Sequence, residues 1–143
     1  MSRPVKFLIG LAAVILMGWI YHGPLGNGEA FVSRLEGQAR SAVAATGLPG
    51  IEVRLSRDPL SRAATLSGPA DEFQREGQGS LPGLNDLVRE VEGISDVGWA
   101  DHDPADPGLP VLAELLIGIV AAYLLGVGLA SLLFGRAKKE SYL

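Results

Sequence analysis

Cysteine is absent from the 143-residue chain, and histidine occurs only twice, at His22 and His102. Without cysteine, disulfides, thiolate metal sites and cysteine nucleophiles are excluded. A serine nucleophile would need a neighbouring base such as histidine. Both histidines lie next to the long apolar segments of the chain, so the sequence offers no clear serine–histidine pair. The glycine-containing segments carry no phosphate-loop lysine and no dinucleotide-binding pattern. We therefore expect no enzymatic activity, no catalytic residue, no resident metal ion and no cofactor.

Lysine is also absent from the middle of the chain. Between Gly23 and Pro110 there are 14 acidic residues and 7 arginines, a local net charge of −7 (7 − 14). An acidic surface of this kind repels phosphate groups, which argues against nucleic acid as a partner. The remaining basic residues all lie in two short terminal tails: Arg3, Lys6, Arg136, Lys138 and Lys139.

Two apolar blocks flank this acidic middle. The first has 15 uncharged residues from Phe7 to Tyr21, close to the length that crosses a bilayer, and predicts a transmembrane helix over 7–22. A cleaved signal peptide is the alternative, although no small-residue cleavage site follows. The second block has 20 uncharged residues from Leu115 to Phe134 and predicts a transmembrane helix over 111–134.

The flanking charges predict an orientation for both helices. By the positive-inside rule the basic tails, residues 1–6 and 135–143, lie in the cytoplasm. Two crossings then place the acidic middle on the opposite side. We expect a bacterial inner (cytoplasmic) membrane protein with a periplasmic domain and with membrane lipids around both helices.

Small residues recur in both apolar blocks. In the second block they are spaced four apart, and in the first they are eight apart: Gly118, Ala122, Gly126, Ala130, and Gly10, Gly18. Residues four apart share a helix face, and small ones let another backbone approach closely. This pattern predicts a helix–helix contact, either within the chain or with another subunit, which includes a homo-oligomer. The alternative is the ordinary glycine and alanine content of membrane helices.

The middle of the chain has the periodicities of a small α+β domain. A helix is predicted from about Asn27 with an apolar stripe that includes Val32 and Leu35, and with Glu29 and Glu36 towards its positive end. Period-two alternation predicts a strand over 51–56, and weaker patterns predict strands over 63–66 and 94–99. A second helix is expected over 84–91, and 69–81 has the composition of a loop or an irregular turn. The expected fold class is a membrane protein in which two transmembrane α-helices flank two helices on a three-stranded sheet, with this domain over 23–103 and a stiff linker over 104–110.

This middle segment resembles the BON domain, a small module of bacterial osmotic-stress and envelope proteins. The matching features are the leading helix, the alternation of Ile51, Val53 and Leu55, the segment Leu66-Ser67-Gly68, and the ending Val91-Glu92-Gly93-Ile94-Ser95-Asp96-Val97. The resemblance covers residues 28–101. It implies a non-enzymatic binding module for membrane surfaces, lipid or other envelope components. Residues 74–80 depart from the family as an insertion, and Pro69 replaces a usual strand residue.

A polar interfacial site is one further hypothesis. His22, His102 and Glu114 all lie near the predicted outer membrane boundary, and Glu114 is the only charge in the second apolar block. Asp101, Asp103 and Asp106 could add oxygen ligands if the histidines met, although their spacing lacks the glycine and distal glutamate of a calcium loop. The alternative is that these residues are simply solvated at the interface.

Two functions remain open from the sequence. One is a non-enzymatic inner-membrane protein that presents an acidic BON-like module on the periplasmic side. The other is an accessory or structural subunit of a larger membrane complex, bound through its transmembrane helices. Both imply other membrane or envelope proteins as partners.

Overall fold

We describe a computed structural model of the chain, covering residues 2–135. In chain order its elements are α1 (Arg3–His22), α2 (Asn27–Ala44), β1 (Glu52–Arg57), β2 (Leu60–Ser67), α3 (Glu72–Glu76), β3 (Gly77–Gln78), β4 (Leu81–Pro82), α4 (Leu84–Arg89), β5 (Asp96–Trp99) and α5 (Val111–Gly135). They form two compact units. The helical unit holds the two chain ends up to Leu25 and from Leu112, and the second unit is Gly26–Val111.

The helical unit consists of two long apolar helices. The most apolar 18-residue window has a mean hydropathy of 1.8 in α1 and of 2.3 in α5. Pro4 lies in the first turn of α1, where its missing N–H is not needed. By length and composition both helices could cross a membrane. The expected layout of two apolar helices flanking a small helix-and-sheet region is confirmed.

Small residues of α1 let α5 approach within this unit. A Cβ at Gly10 would collide with the Tyr123 ring, and one at Gly18 would collide with Leu116 and Ile119. The Tyr123 hydroxyl donates a 2.9 Å hydrogen bond to the Phe7 carbonyl, and the two rings lie 5.6 Å apart. The two predicted glycines of the first apolar block therefore lie at an intramolecular helix contact.

The second unit is built on a three-stranded sheet with strand order β1-β2-β5. β1 pairs antiparallel with β2, for example Val53 with Leu66, and β2 pairs parallel with β5, for example Ala64 with Val97. The intervening segment, which contains α4, makes the long crossover that a parallel pair requires.

One face of this sheet carries the core. Alternate strand residues point towards α2 and α4, and together they bury an apolar cluster: Val32, Leu35, Ala39, Val43, Val53, Leu55, Ala64, Leu66, Leu84, Val88, Val97 and Trp99. α2 contacts β1 and β2, while α4 contacts β5. The domain is thus a two-layer α+β arrangement, with the period-two and helical stripes facing each other.

The segment over 69–81 is more regular than the expected loop or irregular turn. It forms the short helix α3 and the two-residue strands β3 and β4. Asp71 and Gln74 make a capping box at the start of α3, with a 2.8 Å bond from the Gln74 N–H to the Asp71 carboxylate. Five residues are too few for a periodic apolar stripe, which is why the sequence pattern does not reveal this helix.

The proline-rich segment after β5 folds back onto that strand. The Trp99 N–H donates a 2.7 Å bond to the Asp103 carbonyl, and the Asp106 N–H donates a 2.7 Å bond to the Asp96 carboxylate. A Cβ at Gly98 would collide with the backbone of residues 103–105. Glycine at this position therefore permits the connector to cover the β5 edge.

Candidate functional site

The β1 edge of the sheet carries a charged network. In an antiparallel ladder every second residue turns its N–H and C=O away from the partner strand. On β1 these outward groups belong to Val53 and Leu55: the Val53 carbonyl accepts from Arg40 Nε at 3.1 Å, and the Leu55 N–H donates to Glu36 Oε2 at 2.9 Å. Two side chains of α2 therefore cap the backbone of this edge strand.

Glu36 is the centre of this network. Its side chain is 11% exposed and accepts from Arg40 at 2.6 Å and from Arg57 at 3.0 Å. Arg57 also pairs with Glu29 and donates to Ser33 at 3.1 Å. One buried carboxylate therefore joins α2 to both the middle and the end of β1.

The pKa of Glu36 reflects opposing effects. Burial removes water from the carboxylate, which acts to raise its pKa, but the Leu55 N–H and the two guanidinium groups stabilise the charged form. The net result is a pKa below the ordinary glutamate value. Glu36 is therefore ionised in the folded domain at neutral pH.

An open groove lies beside this edge. It has a volume of about 460 Å³ and runs between the end of α2 and β1, with Val43, Leu48 and Ile51 among its lining residues. Charged side chains of β1, Glu52 and Arg54, also line it. The groove therefore combines apolar surface with outward backbone groups and charges of both signs.

A second cluster ties α3 to β5. The guanidinium of Arg75 lies 4.1 Å from the centre of the Trp99 ring and makes two bonds, at 2.9 and 2.7 Å, to the Asp101 carboxylate. The Trp99 indole N–H donates to Asn85 at 2.7 Å. The Arg75 hydrogen bond lowers the pKa of Asp101 below the usual aspartate value and raises that of Arg75.

The residues of the predicted polar site fall in different units. His22 and Glu114 belong to the helical unit, whereas His102 is exposed on the connector after β5. His22 Nε2 is buried and makes no hydrogen bond to the described residues. Glu114 is half-buried and takes part in a polar or electrostatic interaction. Whether the three act together stays a prediction.

The acidic connector residues are each engaged separately. Asp101 pairs with Arg75, the Asp103 carbonyl bonds to β5, and the Asp106 carboxylate accepts from the Gly108 N–H at 3.0 Å. Within residues 2–135 no group of three histidine or acidic side chains is placed to hold a metal ion. These aspartates shape the connector.

The predicted small residues of α5 lie away from α1. In the described part of the chain, a Cβ at Gly118 or Gly126 would meet no other side chain or segment within 4 Å. Ala122 and Ala130 are exposed as well. These four small residues therefore form an open face of α5.

Sequence patterns missed the two polar clusters of the domain. The sequence pattern assigns Glu36 only to the predicted first helix of the domain. In the structure its carboxylate accepts a hydrogen bond from Leu55 of β1, 19 residues away in sequence. Arg75 lies in a stretch without periodicity, so its contact with Trp99 depends on α3 being formed. Its one sequence signal is the capping box of Asp71 and Gln74.

Comparison with protein-family models gives no match for this chain, and neither a curated protein nor a solved structure matches it. The resemblance of the domain to BON modules stays a prediction.

Proposed function

We propose that the chain is a two-span protein of a bacterial inner membrane that presents a BON-like binding module on the periplasmic side and catalyses no reaction. The observation that carries this proposal is the layout of two long apolar helices at either end of a folded domain. Arg3 and Lys6 lie in the first turns of α1, further basic residues follow α5 in sequence, and a segment of net charge −7 lies between the two helices in sequence. The positive-inside rule then gives the orientation, with both termini cytoplasmic.

The charge of the module limits what it binds. A domain of this charge is repelled by anionic headgroups, so simple electrostatic attachment to the bilayer is disfavoured. Basic protein surfaces or divalent cations complement it better. We therefore infer a binding role towards envelope proteins rather than towards lipid.

A second candidate function is an accessory subunit of a membrane complex. It is favoured by the open face of α5, because Gly118 and Gly126 do not serve the contact with α1. In a bilayer, small exposed residues let another helix pack closely, while large ones keep it at a distance. On this second proposal the transmembrane helices bind the other subunits of the complex, and the domain does not form the binding surface.

Purification of the full chain separates the two proposals. The chain, tagged at its C terminus, is isolated in mild detergent, and proteins present in stoichiometric amounts are identified by mass spectrometry. The variant Gly126→Leu fills the open face, and Ala121→Leu adds a comparable side chain at another exposed position of α5 as the control.

Each proposal predicts a different result. For an accessory subunit, a defined membrane partner is lost with Gly126→Leu and kept with Ala121→Leu. For the binding module, partners survive both variants and also survive exchange of both helices for unrelated anchors. Measurable turnover of a substrate by the purified chain would contradict both.

A further inference from the structure

Strand β1 is an edge strand, and on its outer side its hydrogen-bonding groups meet no other strand of the described residues. Within residues 2–135, the sheet order is β1-β2-β5, and β1 pairs only with β2. Its outward Val53 carbonyl and Leu55 N–H are held by the side chains of Arg40 and Glu36. Side-chain caps of this kind can be exchanged for the backbone of an added strand.

The space beside β1 is open to such a strand. The groove of about 460 Å³ follows residues 51–54, and the Arg40 side chain that borders it is 58% exposed. Apolar side chains of α2 and of the following turn, Val43 and Leu48, line the same groove. An added strand would cover this apolar surface and gain backbone bonds to β1.

The charges of β1 favour a second copy of β1 as that strand. In an antiparallel pair of β1 strands, the outward residues Val53 and Leu55 can lie opposite themselves or opposite each other, which gives three registers. Val53 opposite Leu55 puts Arg54 against Arg54 of the second copy, which is repulsive. Leu55 opposite Leu55 puts Arg54 against Ser56. Within one chain Arg54 already pairs with Glu52 at 3.2 Å on the exposed face. Val53 opposite Val53 also puts Glu52 against Arg54 of the second copy, twice by symmetry, so each charge gains a second partner of opposite sign.

We propose that two copies of the chain associate through their β1 edges, antiparallel, with Val53 opposite Val53 and Glu52 paired with Arg54 of the other copy. Arg40 releases the Val53 carbonyl when this pair forms, so it acts as a competing cap. The association is separate from the open face of α5 and does not depend on the function proposed above.

The test uses the absence of cysteine from the chain. Full-length Glu52→Cys and Arg54→Cys chains, with different tags, are co-expressed, purified in mild detergent and treated with a thiol cross-linker that spans about 5 Å, the Cβ separation of directly opposite residues. Both side chains are more than 60% exposed, at 63% and 73%, so neither substitution disturbs the core. The mixed 52–54 dimer should exceed either single-variant dimer about tenfold.

Charge variants check the register. Glu52→Arg puts like charges opposite each other and should weaken dimerisation about tenfold, and Glu52→Arg with Arg54→Glu should restore it. Arg40→Met removes the competing cap and should strengthen dimerisation about threefold. A Ser80→Cys chain, altered on the exposed turn between β3 and β4, is the cross-linking control.

Three results would overturn the proposal. The first is a mixed dimer no more abundant than the Ser80→Cys dimer. The second is a dominant dimer of Arg54→Cys alone, which requires the repulsive register. The third is loss of the 52–54 cross-link in Gly126→Leu, which would assign the association to the helices.

Discussion

Replacing Glu36 by glutamine tests the capped β1 edge most directly. The Leu55 N–H bonds to an ionised carboxylate, and such charge-assisted bonds contribute about 1.5–3 kcal/mol. Arg57 and Arg40 are 38% and 58% exposed, so water screens each ion pair to at most about 1 kcal/mol. Glutamine keeps an oxygen for Leu55 but loses the charge. We therefore expect Glu36→Gln to destabilise the domain by about 1–2 kcal/mol.

Urea unfolding of the full chain in mild detergent measures this effect. The chain has two tryptophans, so a Trp19→Phe background leaves Trp99 as the only indole reporter of the domain. With a urea slope of about 1 kcal/mol/M, the transition midpoint should fall by about 1–2 M. Glu52→Gln alters an exposed carboxylate on the same strand and should shift the midpoint by less than about 0.5 M.

The pH dependence gives the refuting result. Because the pKa of Glu36 is lowered by folding, its stabilisation is complete above the unfolded value, about 4.3, and is lost as pH falls through the lower folded value. The difference between wild type and Glu36→Gln should therefore be full at pH 7 and shrink on acidification below the unfolded value. Equal midpoints at pH 7, or a difference that does not change with acidification, would show that the carboxylate does not hold β1.

Three further substitutions test the other contacts. Gly98→Val should destabilise the domain by about 2–4 kcal/mol in the same urea assay, because its side chain would collide with the connector backbone. Arg75→Met removes the Trp99 stacking and the carboxylate pair, and the loss should show as faster amide exchange in α3 by mass spectrometry. Gly10→Leu should separate α1 from Tyr123 of α5, so that a cysteine cross-link between the two helices forms more slowly.

Matched variants accompany these three. Gly37→Val is the control for Gly98→Val, because a Cβ at Gly37 meets no described atom within 4 Å. It should not destabilise the domain, since valine has a higher helix propensity than glycine. Arg75→Lys keeps the charge but not the planar stacking and should lie between wild type and Arg75→Met. Gly128→Leu enlarges an α5 position where a Cβ meets none of the described atoms within 4 Å, and it should leave the intramolecular cross-link unchanged. If the matched variants behave like the test variants, the contacts described above do not explain the losses.

The elements that sequence predicted best are those with a strong local pattern, either a continuous apolar run or a period-two alternation. The apolar blocks give α1 and α5, and alternation at Val53 and Leu55 gives β1. Expected strand ends were less accurate, since β2 begins at Leu60 rather than at Ala63. Its outer residues pair with β1 regardless of their own weak propensity, because tertiary pairing overrides local preference.

The polar clusters could not be predicted, because each joins segments distant in sequence. Glu36 meets Arg57 21 residues away, and Arg75 meets Asp101 26 residues away. Only the register of the sheet and the formation of α3 bring these side chains together. Gly10 and Gly18 lie against α5, whereas Gly118 and Gly126 meet no described atom within 4 Å, and the small-residue pattern does not distinguish these two cases.

A measurement of membrane topology tests the proposed function most directly. Single cysteines at Ser80 in the domain and at Ser141 in the C-terminal tail are labelled with a membrane-impermeant maleimide in bacterial spheroplasts. We predict that the Ser80→Cys chain is labelled in intact spheroplasts and that the Ser141→Cys chain is labelled only after permeabilisation. Labelling of both before permeabilisation, or release of the chain into the soluble fraction at alkaline pH, would contradict a two-span protein with an external domain.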